Sequence, residues 1–287
     1  MKNKQLAHII ELNIAVLFIS TSGVLGRFLT VAPPVAIWWR CLFAAILLGA
    51  FCKFRKIDLA LVTKLDRGSF VLSAIFLGGH WITYFYALKY GNVAIGMLSL
   101  FTYPVITALL EPLFFRTRIN GKQVLLGLLV LVGVYFLTPE LSLENDLTKG
   151  VLFGMVSSVF YAIRNILSKK HATHYHGTAI MFYQVLIVTL SFWPVLFAFD
   201  TRIEPNDWTA LLTLALVTTS IGHTLFVMSF KHFSVTTASI MSSIQPVWGI
   251  LFGMLFLSEI PSKATIIGGI LILSTVIIES FKTNASD

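Results

Sequence analysis

ALKYGNVAIGMLSLFTYPV, residues 87–105, is answered later in the chain by SFKHFSVTTASIMSSIQPV, residues 229–247. A lysine near the start and a proline near the end recur at one spacing: Lys89 to Lys231 and Pro104 to Pro246 are both 142 residues apart. In each stretch the lysine closes one apolar segment, a short turn follows, and the proline falls midway along the next segment. A Gly-His pair precedes each, Gly79-His80 and Gly222-His223, at a spacing of 143, so one residue has been gained or lost between the copies. Farther on, Gly127 and Gly133 answer Gly268 and Gly269 more loosely. The chain reads as an internal duplication.

What is duplicated is membrane sequence. Of 287 residues, 56% are hydrophobic and only 12% are charged, and the mean hydropathy is +0.84. Soluble domains carry about a quarter charged residues. A helix crossing a bilayer needs about 20 apolar residues in a row for a core roughly 30 Å thick. Ten such blocks lie near 8–30, 34–52, 68–88, 92–115, 122–138, 148–168, 177–199, 207–230, 235–257 and 263–281. Helix-ending residues separate them, among them Pro33-Pro34, Gly91-Asn92, Asn120-Gly121, Pro205-Asn206 and Pro261-Ser262. The first block follows only Lys2 and Lys4 and lacks a small-residue cleavage site, so it reads as a retained helix rather than a signal peptide. Cys41 and Cys52 share one expected helix about 16 Å apart and cannot bridge.

Five spans per copy is an odd number, so the second copy enters the membrane upside down. The expected fold is an all-α integral membrane protein of ten transmembrane helices in two inverted five-helix repeats, residues 5–140 and 147–281. With the N-terminus inside, fourteen basic residues fall on the inner side: Lys2, Lys4, Lys53, Arg55, Lys56, Lys64, Arg67, Arg116, Arg118, Lys122, Lys169, Lys170, Lys231 and Lys282. Only Lys89, Lys149, Arg202 and Lys263 fall outside. By the positive-inside rule both termini are expected in the cytoplasm, in a multi-pass protein of the cell (inner) membrane.

A lysine ending the third helix of a repeat, a proline midway along the fourth and a glutamate thirteen residues later form a pattern that resembles the EamA-type transporters of the drug/metabolite transporter superfamily. Lys231, Pro246 and Glu259 fit it, with a glycine-rich last helix at Gly268-Gly269. The first copy departs from it: thirteen residues past Pro104 stands Thr117, and a glutamate comes earlier, at Glu111-Pro112. Arg40, before Cys41-Leu42-Phe43-Ala44-Ala45, matches an arginine common in the second helix of that family. The resemblance spans roughly residues 8–281 and implies export of amino acids, other metabolites or drugs through a central cavity lined by both repeats. Inverted repeats place such a site near the bilayer midplane.

Function is expected in the few polar residues that the membrane makes expensive. Arg27, Arg40, His80, Glu111, Arg164 and His223 are the candidates. Arg40 lies about 9 Å from the outer end of its helix. Arg27 and Arg164 can equally snorkel to a headgroup region. Ser99, Tyr103, Thr107 and Glu111 recur every four residues on one helix, and Ser157, Tyr161, Arg164 and Ser168 form a second stripe. With Trp38, Trp39 and Tyr84, and with Ser243 and Gln245 ahead of Pro246, they describe an aromatic, hydroxylated, net-positive lining. Such a lining suits a carboxylate-bearing or zwitterionic solute, because arginine offers a bidentate fork. The expected substrate-binding set is Arg40, Trp39, His80, Tyr84, Ser99, Tyr103, Glu111, Tyr161, Arg164, Ser243 and Gln245. Glu111 is left with three roles: binding an amine, pairing with Arg164, or exchanging a proton. Pro104 and Pro246 are expected hinges for gating.

Other classes fit less well. Efflux of lipophilic cations or drugs favours an acidic cavity, which Arg40 opposes. An integral membrane enzyme needs a reactive constellation, and the chain has no His-Glu-x-x-His, metal-spaced aspartate pair or nucleophile elbow. The net charge of +8 is scattered through short loops, which argues against nucleic acid. His171, His174 and His176 lack a nearby cysteine or acid and read as a solvated loop rather than a metal site. No cofactor is expected; the partners are a small-molecule substrate and membrane lipid. Gly150-xxx-Gly154 and Gly249-xxx-Gly253 read as contacts within the chain and not as a dimer seam, which allows a monomer.

Overall fold

The computed structural model describes residues 2–60, 64–115, 121–137 and 142–283. Arg116, Thr117, Arg118, Asn120 and the expected end of the first repeat at residue 140 lie outside the described residues. The chain begins with three long helices, α1 (Lys2–Phe28), α2 (Pro33–Phe54) and α3 (Lys64–Tyr90). Two shorter ones in line follow, α4 (Val93–Leu100) and α5 (Tyr103–Phe115), and then α6 (Gly121–Leu137) and α7 (Asp146–Ala172). Next come α8 (Gly177–Phe192), the single turn α9 (Val195–Ala198) and α10 (Pro205–Thr213). A π-helical stretch, Leu214–His223, runs from α10 into α11 (Thr224–Ser229). Last are α12 (Val235–Met241), a 3-10 turn over Ser242–Ile244, α13 (Gln245–Leu257) and α14 (Lys263–Thr283).

Among the described residues, seven helical segments are long and apolar enough to cross a membrane: Gln5–Phe28, Pro33–Phe54, Asp66–Tyr90, Val93–Phe115, Asp146–Ala172, Pro205–Ser229 and Val235–Leu257. Leu125–Leu137, Gly177–Phe192 and Lys263–Thr275 are apolar but shorter. The span expected over 177–199 is therefore corrected. It stops at Phe192, where Trp193-Pro194 interrupts it before the single turn of α9. Two other expected helices are broken where the prolines require it. Before Pro104 the chain makes a turn at Phe101-Thr102, and before Pro246 it tightens into the 3-10 turn. A proline ring collides with the carbonyl four residues back and offers no N–H of its own.

The bundle exposes large apolar side chains and buries charged and polar ones among its apolar core. Leu125, Leu128 and Leu131 on α6, Leu255 and Phe256 on α13, and Ile266, Ile267 and Ile270 on α14 face outward. Arg40, His80, Ser157, Arg164, Asn165, Gln184 and Thr219 are buried. Only a hydrocarbon solvent makes that distribution favourable.

Glycines set how closely the helices approach. A Cβ at Gly154 on α7 would overlap Ser99 Oγ on α4 and come within 2.6 Å of Ser99 Cβ. A Cβ at Gly150, one turn earlier, would lie 3.0 Å from the Gly91 backbone nitrogen. The spacing of α7 against α4 thus depends on the missing side chains. Gly154→Ala should lower the stability of the detergent-solubilised protein by about 1–3 kcal/mol, the usual overpacking penalty. Gly68→Ala, where no atom lies within 4 Å, should cost nothing. Superimposable melting curves for wild type and Gly154→Ala would contradict the close α4–α7 contact.

Candidate functional site

The buried polar residues gather around Tyr161 on α7. Its ring stacks on His80 of α3 with centroids 4.3 Å apart and meets Tyr103 of α5 edge-on at 4.8 Å. His223, at the end of the π stretch, lies 6.4 Å away, and Phe226 of α11 lies 6.2 Å away. His80 Nδ1 is 2.7 Å from Ser157 Oγ, and that hydroxyl donates to the His80 carbonyl at 2.9 Å. A hydroxyl has one proton to give, so it accepts from Nδ1–H, and Nε2 is the basic nitrogen of His80. The Tyr103 hydroxyl bonds Ser242 Oγ in the turn before Pro246. That bond ties the two proline-broken segments together across the centre.

Arg40 is fully buried at the edge of this cluster. Its Nε donates to Thr219 Oγ1 at 2.6 Å, and its guanidinium carbon stands 4.0 Å from the centre of the Trp81 ring. Its two terminal nitrogens are buried without hydrogen-bond partners, as is Nδ1 of His223, whose ring meets Trp81 edge-on at 5.2 Å. The π-helical geometry supplies Thr219. The Thr219 hydroxyl donates to Leu214 O and that of Ser220 to Ala215 O, each at 2.8 Å and each five residues back. π turns widen a helix by one residue and recur at functional sites.

Arg164 has the opposite surroundings. It donates to Gln184 Oε1 at 2.6 and 3.2 Å and to Asn165 Oδ1 at 3.0 Å. The Gln184 amide nitrogen in turn donates to Ser73 and, at 3.0 Å, to Ser168. Arg164 is thus neither snorkelling nor paired with Glu111. Among the described residues neither Arg40 nor Arg164 has a carboxylate within 4.0 Å.

Other expected members lie apart. Trp39 points away from Arg40, because successive helix residues diverge, and packs against Trp208 at 5.3 Å and Phe43 at 5.5 Å. Tyr84 stays near the cluster, 6.1 Å from the His80 ring. Ser99 faces Gly154 and bonds Ile95 O at 2.6 Å. Ser243 bonds Ile240 O at 2.6 Å, and Gln245 is buried at the start of α13. Glu111 accepts from the Thr236 N–H at 3.1 Å and from its hydroxyl, so it holds the start of α12 rather than the central cluster. The four-residue stripe on α4 and α5 therefore does not line one surface; the break before Pro104 turns its members toward different neighbours. Arg27 is not a lone snorkelling residue either: it forms a 2.8 Å ion pair with Glu259. Nor is His171 in a solvated loop. It closes α7 and stacks on Phe70 at 3.9 Å. Nearby, the loop residue His232 stacks on His8 at 3.5 Å; burial and that ring hold it below the ordinary imidazole range, hence neutral at pH 7.

The central rings of His80, Tyr84, Tyr103, Tyr161 and His223 are in contact with one another. A cavity of about 690 Å³ lies elsewhere, between α1, α10 and α13, lined by Thr21, Phe28, Thr213 and Phe252. Trp81, Thr219 and Gln184 are the central residues the sequence did not single out. Only Trp81 carried a local signal, as the neighbour of His80.

The model of the EamA-like transporter family matches the chain twice, over residues 8–138 and 148–281. An uncharacterized transporter of Archaeoglobus fulgidus is 30% identical over 197 residues, covering 68% of this chain and 70% of its own length. The pseudopaline exporter CntI of Pseudomonas aeruginosa is 28% identical over 204 residues, covering 71% of this chain and 70% of its own. A solved crystal structure of a protein 19% identical superposes with a TM-score of 0.70, over 96% of this chain and 98% of that one, which shows a shared fold.

The contrast between the arginines is measurable. Arg164→Met strips a donor from Gln184 and Asn165 and should cost about 2–4 kcal/mol of stability. Arg40→Met removes a buried charge with two unmet donors and leaves one threonine hydroxyl to rearrange, so its melting temperature should stay level or rise. Equal losses in the two variants would show that Arg40 is satisfied in the folded protein.

Proposed function

The chain belongs to the EamA-like transporter family, and from that premise we propose that it exports amino acids or similar small polar metabolites by alternating access. It is a multi-pass α-helical membrane protein and a transporter. The substrate class rests on one observation above the others: the two terminal nitrogens of Arg40 are buried without partners in a core holding a second arginine. A buried guanidinium with free donors is matched by a carboxylate, which takes two parallel hydrogen bonds from it. His80, Tyr84, Tyr103 and Tyr161 would flank that group, and Trp81, His223 and Thr219 join them in this reading. Arg164, held by Gln184, would keep the site positive without itself contacting the solute. Trp39, Ser99, Ser243 and Gln245 would act through packing, and Glu111 at a corner of the bundle.

The proposed architecture is ten spans in two inverted five-helix repeats, residues 5–140 and 147–281. The twofold family match and the equivalent breaks before Pro104 and Pro246 support it. The name of the Pseudomonas relative supports export as the direction. Both termini are proposed to be cytoplasmic on the fourteen-to-four distribution of basic residues. In a background lacking Cys41 and Cys52, Glu144→Cys should react with an impermeant maleimide on intact cells and Lys56→Cys should not. Both positions are exposed, so the reverse pattern would invert the topology.

The substrate class is tested by a proteoliposome flux screen over amino acids and organic acids, with and without a pH gradient. For the solute found, Arg40→Lys should fold normally yet weaken binding roughly 30- to 150-fold, the worth of about 2–3 kcal/mol for a charge-assisted bidentate contact. Pro104→Ala and Pro246→Ala should slow turnover more than they weaken binding, as hinges do. Wild-type flux in Arg40→Lys would remove Arg40 from the binding site, and unchanged flux in both proline variants would reduce the prolines to packing.

A further inference from the structure

Two corners of the bundle are built to one plan. Where α3 turns into α4, Asn92 caps α4 by accepting from the Ile95 N–H at 2.9 Å. Arg27 donates to the carbonyl of Lys89, at the end of α3, at 3.2 Å, and Glu259 accepts from the Val93 N–H, at the start of α4, at 2.8 Å. Where α11 turns into α12, Ser234 caps α12 by accepting from the Thr237 N–H at 3.0 Å. Lys169 donates to the carbonyls of Phe230 at 2.5 Å and Phe233 at 3.0 Å, and Glu111 accepts from the Thr236 N–H at 3.1 Å.

The caps and the cations correspond in register as well as in role, while the acids Glu111 and Glu259, 148 residues apart, correspond in role alone. Asn92 to Ser234 and Arg27 to Lys169 are each 142 residues apart, the spacing that also separates Lys89 from Lys231 and Pro104 from Pro246. In both corners a cation closes carbonyls at the end of the entering helix, and an acid receives an N–H in the first turn of the departing one. In both, the acid comes from the other half of the chain. Glu259 follows α13 and reaches back to α4, while Glu111 on α5 reaches forward to α12. Each corner is thus an inter-half contact, and each stands at the head of a helix pair broken at its proline.

We propose that these corners are the two latches of the transport cycle, the Arg27–Glu259 ion pair on Lys89 and Val93 at one face and, without an ion pair between them, Lys169 on Phe230 and Phe233 and Glu111 on Thr236 at the other, and that opening either face breaks its own latch while the other holds. The proposal rests on the alternating-access reading and adds to it the residues that keep each face shut. With both latches made, the members of the Tyr161 cluster are buried. The contacts are also of the right kind to be broken in every cycle. Arg27 and Glu259 are partly exposed, with side-chain exposures of 34% and 22%, and pairs in that setting are weak. The turn that delivers Glu259 holds Ser258 at a φ of +56°, a left-handed conformation that a serine seldom adopts.

Reporter cysteines at matching positions test this. Met97 on α4 and Ser239 on α12 are again 142 residues apart, and both are fully buried, so Met97→Cys and Ser239→Cys react with maleimide only when their own face opens. The measurement is the labelling rate of purified protein in nanodiscs, without Cys41 and Cys52. Glu259→Ala should speed Met97→Cys labelling about tenfold, equivalent to a population shift of about 1.4 kcal/mol, and should not speed Ser239→Cys. Glu111→Ala should do the reverse. Arg27→Gln should repeat the Glu259→Ala result should that variant prove poorly folded by size exclusion. Rates within twofold of the parent, or equal acceleration of both reporters by one variant, would overturn the latches and leave only a loosened bundle. Labelling needs no solute, so it separates this outcome from failure of the transport reading, which absence of flux for every solute tried would mark.

Discussion

A guanidinium taken out of water costs several kcal/mol unless its donors are met and its charge balanced. Two are buried here in a bundle whose outer surface is hydrocarbon. Arg164 is accommodated by neutral acceptors. Gln184 takes two of its bonds, and the same glutamine reaches Ser73 and Ser168, so that one network pins α3, α7 and α8 to each other. Arg40 is accommodated only in part, by one threonine hydroxyl and the face of Trp81. Cation–π contact offsets some desolvation but supplies no acceptor for the two terminal nitrogens. The fold spends stability at that point, and the satisfied arginine beside it holds the walls in place while it does.

The same scarcity of acceptors governs where helices can break. An irregular turn inside a membrane leaves backbone carbonyls without partners, and the breaks before Pro104 and Pro246 and the π stretch each have a hydroxyl side chain bonded to one. Thr102 donates to Ser99 O at 2.9 Å in the turn before Pro104. Ser242 donates to Ser239 O at 2.7 Å, and Ser243 to Ile240 O at 2.6 Å, at the turn before Pro246. Thr219 and Ser220 do the same within the π stretch. Ser243, which reads in the sequence as part of a cavity lining, is one of the hydroxyls by which a helix tolerates its own interruption.

That double use of serine and threonine marks the boundary of what the sequence conveys. Features with a local cause were legible: the hydrophobic blocks, the breaks at Pro104 and Pro246, and the burial of Arg40 within an apolar helix, whereas Arg164 read equally as a snorkelling residue. Features made by distant residues were not. Arg27 and Glu259 meet across 232 positions, and nothing local distinguishes that pair from a snorkelling arginine and a loop acid. Gln184 gives no sign of Arg164, twenty residues before it. The π stretch has the composition of an α-helix; only the i−5 bonds of its hydroxyls reveal it. Glu111 was legible as an expensive residue and not as a corner residue, because its partners are the N–H and hydroxyl of Thr236, 125 positions away.

Duplication explains the ends of this molecule better than its middle. Under the two-repeat reading, the caps Asn92 and Ser234 and the cations Arg27 and Lys169 stand 142 positions apart and do the same work, the acids Glu111 and Glu259 stand 148 apart, and His80 and His223 stand 143 apart on either side of Tyr161 and Trp81. The central charges do not follow. The counterpart of Arg40 at that spacing is Phe182, which packs on Gly49, and the counterpart of Arg164 is Ser22. Among the described residues, the π stretch likewise belongs to the second half alone. On the proposed alternating access, two faces that open in turn would be served by two similar corners, since each has only to release the other half of the same chain. A solute that carries one carboxylate is served by one free guanidinium, because a second in the mirrored position would offer it two opposed orientations of similar energy and add an uncompensated charge to the core. Symmetry persists where the partner is the protein itself and is lost where the partner would be a single small molecule, and Arg40 is the residue at which the two regimes meet.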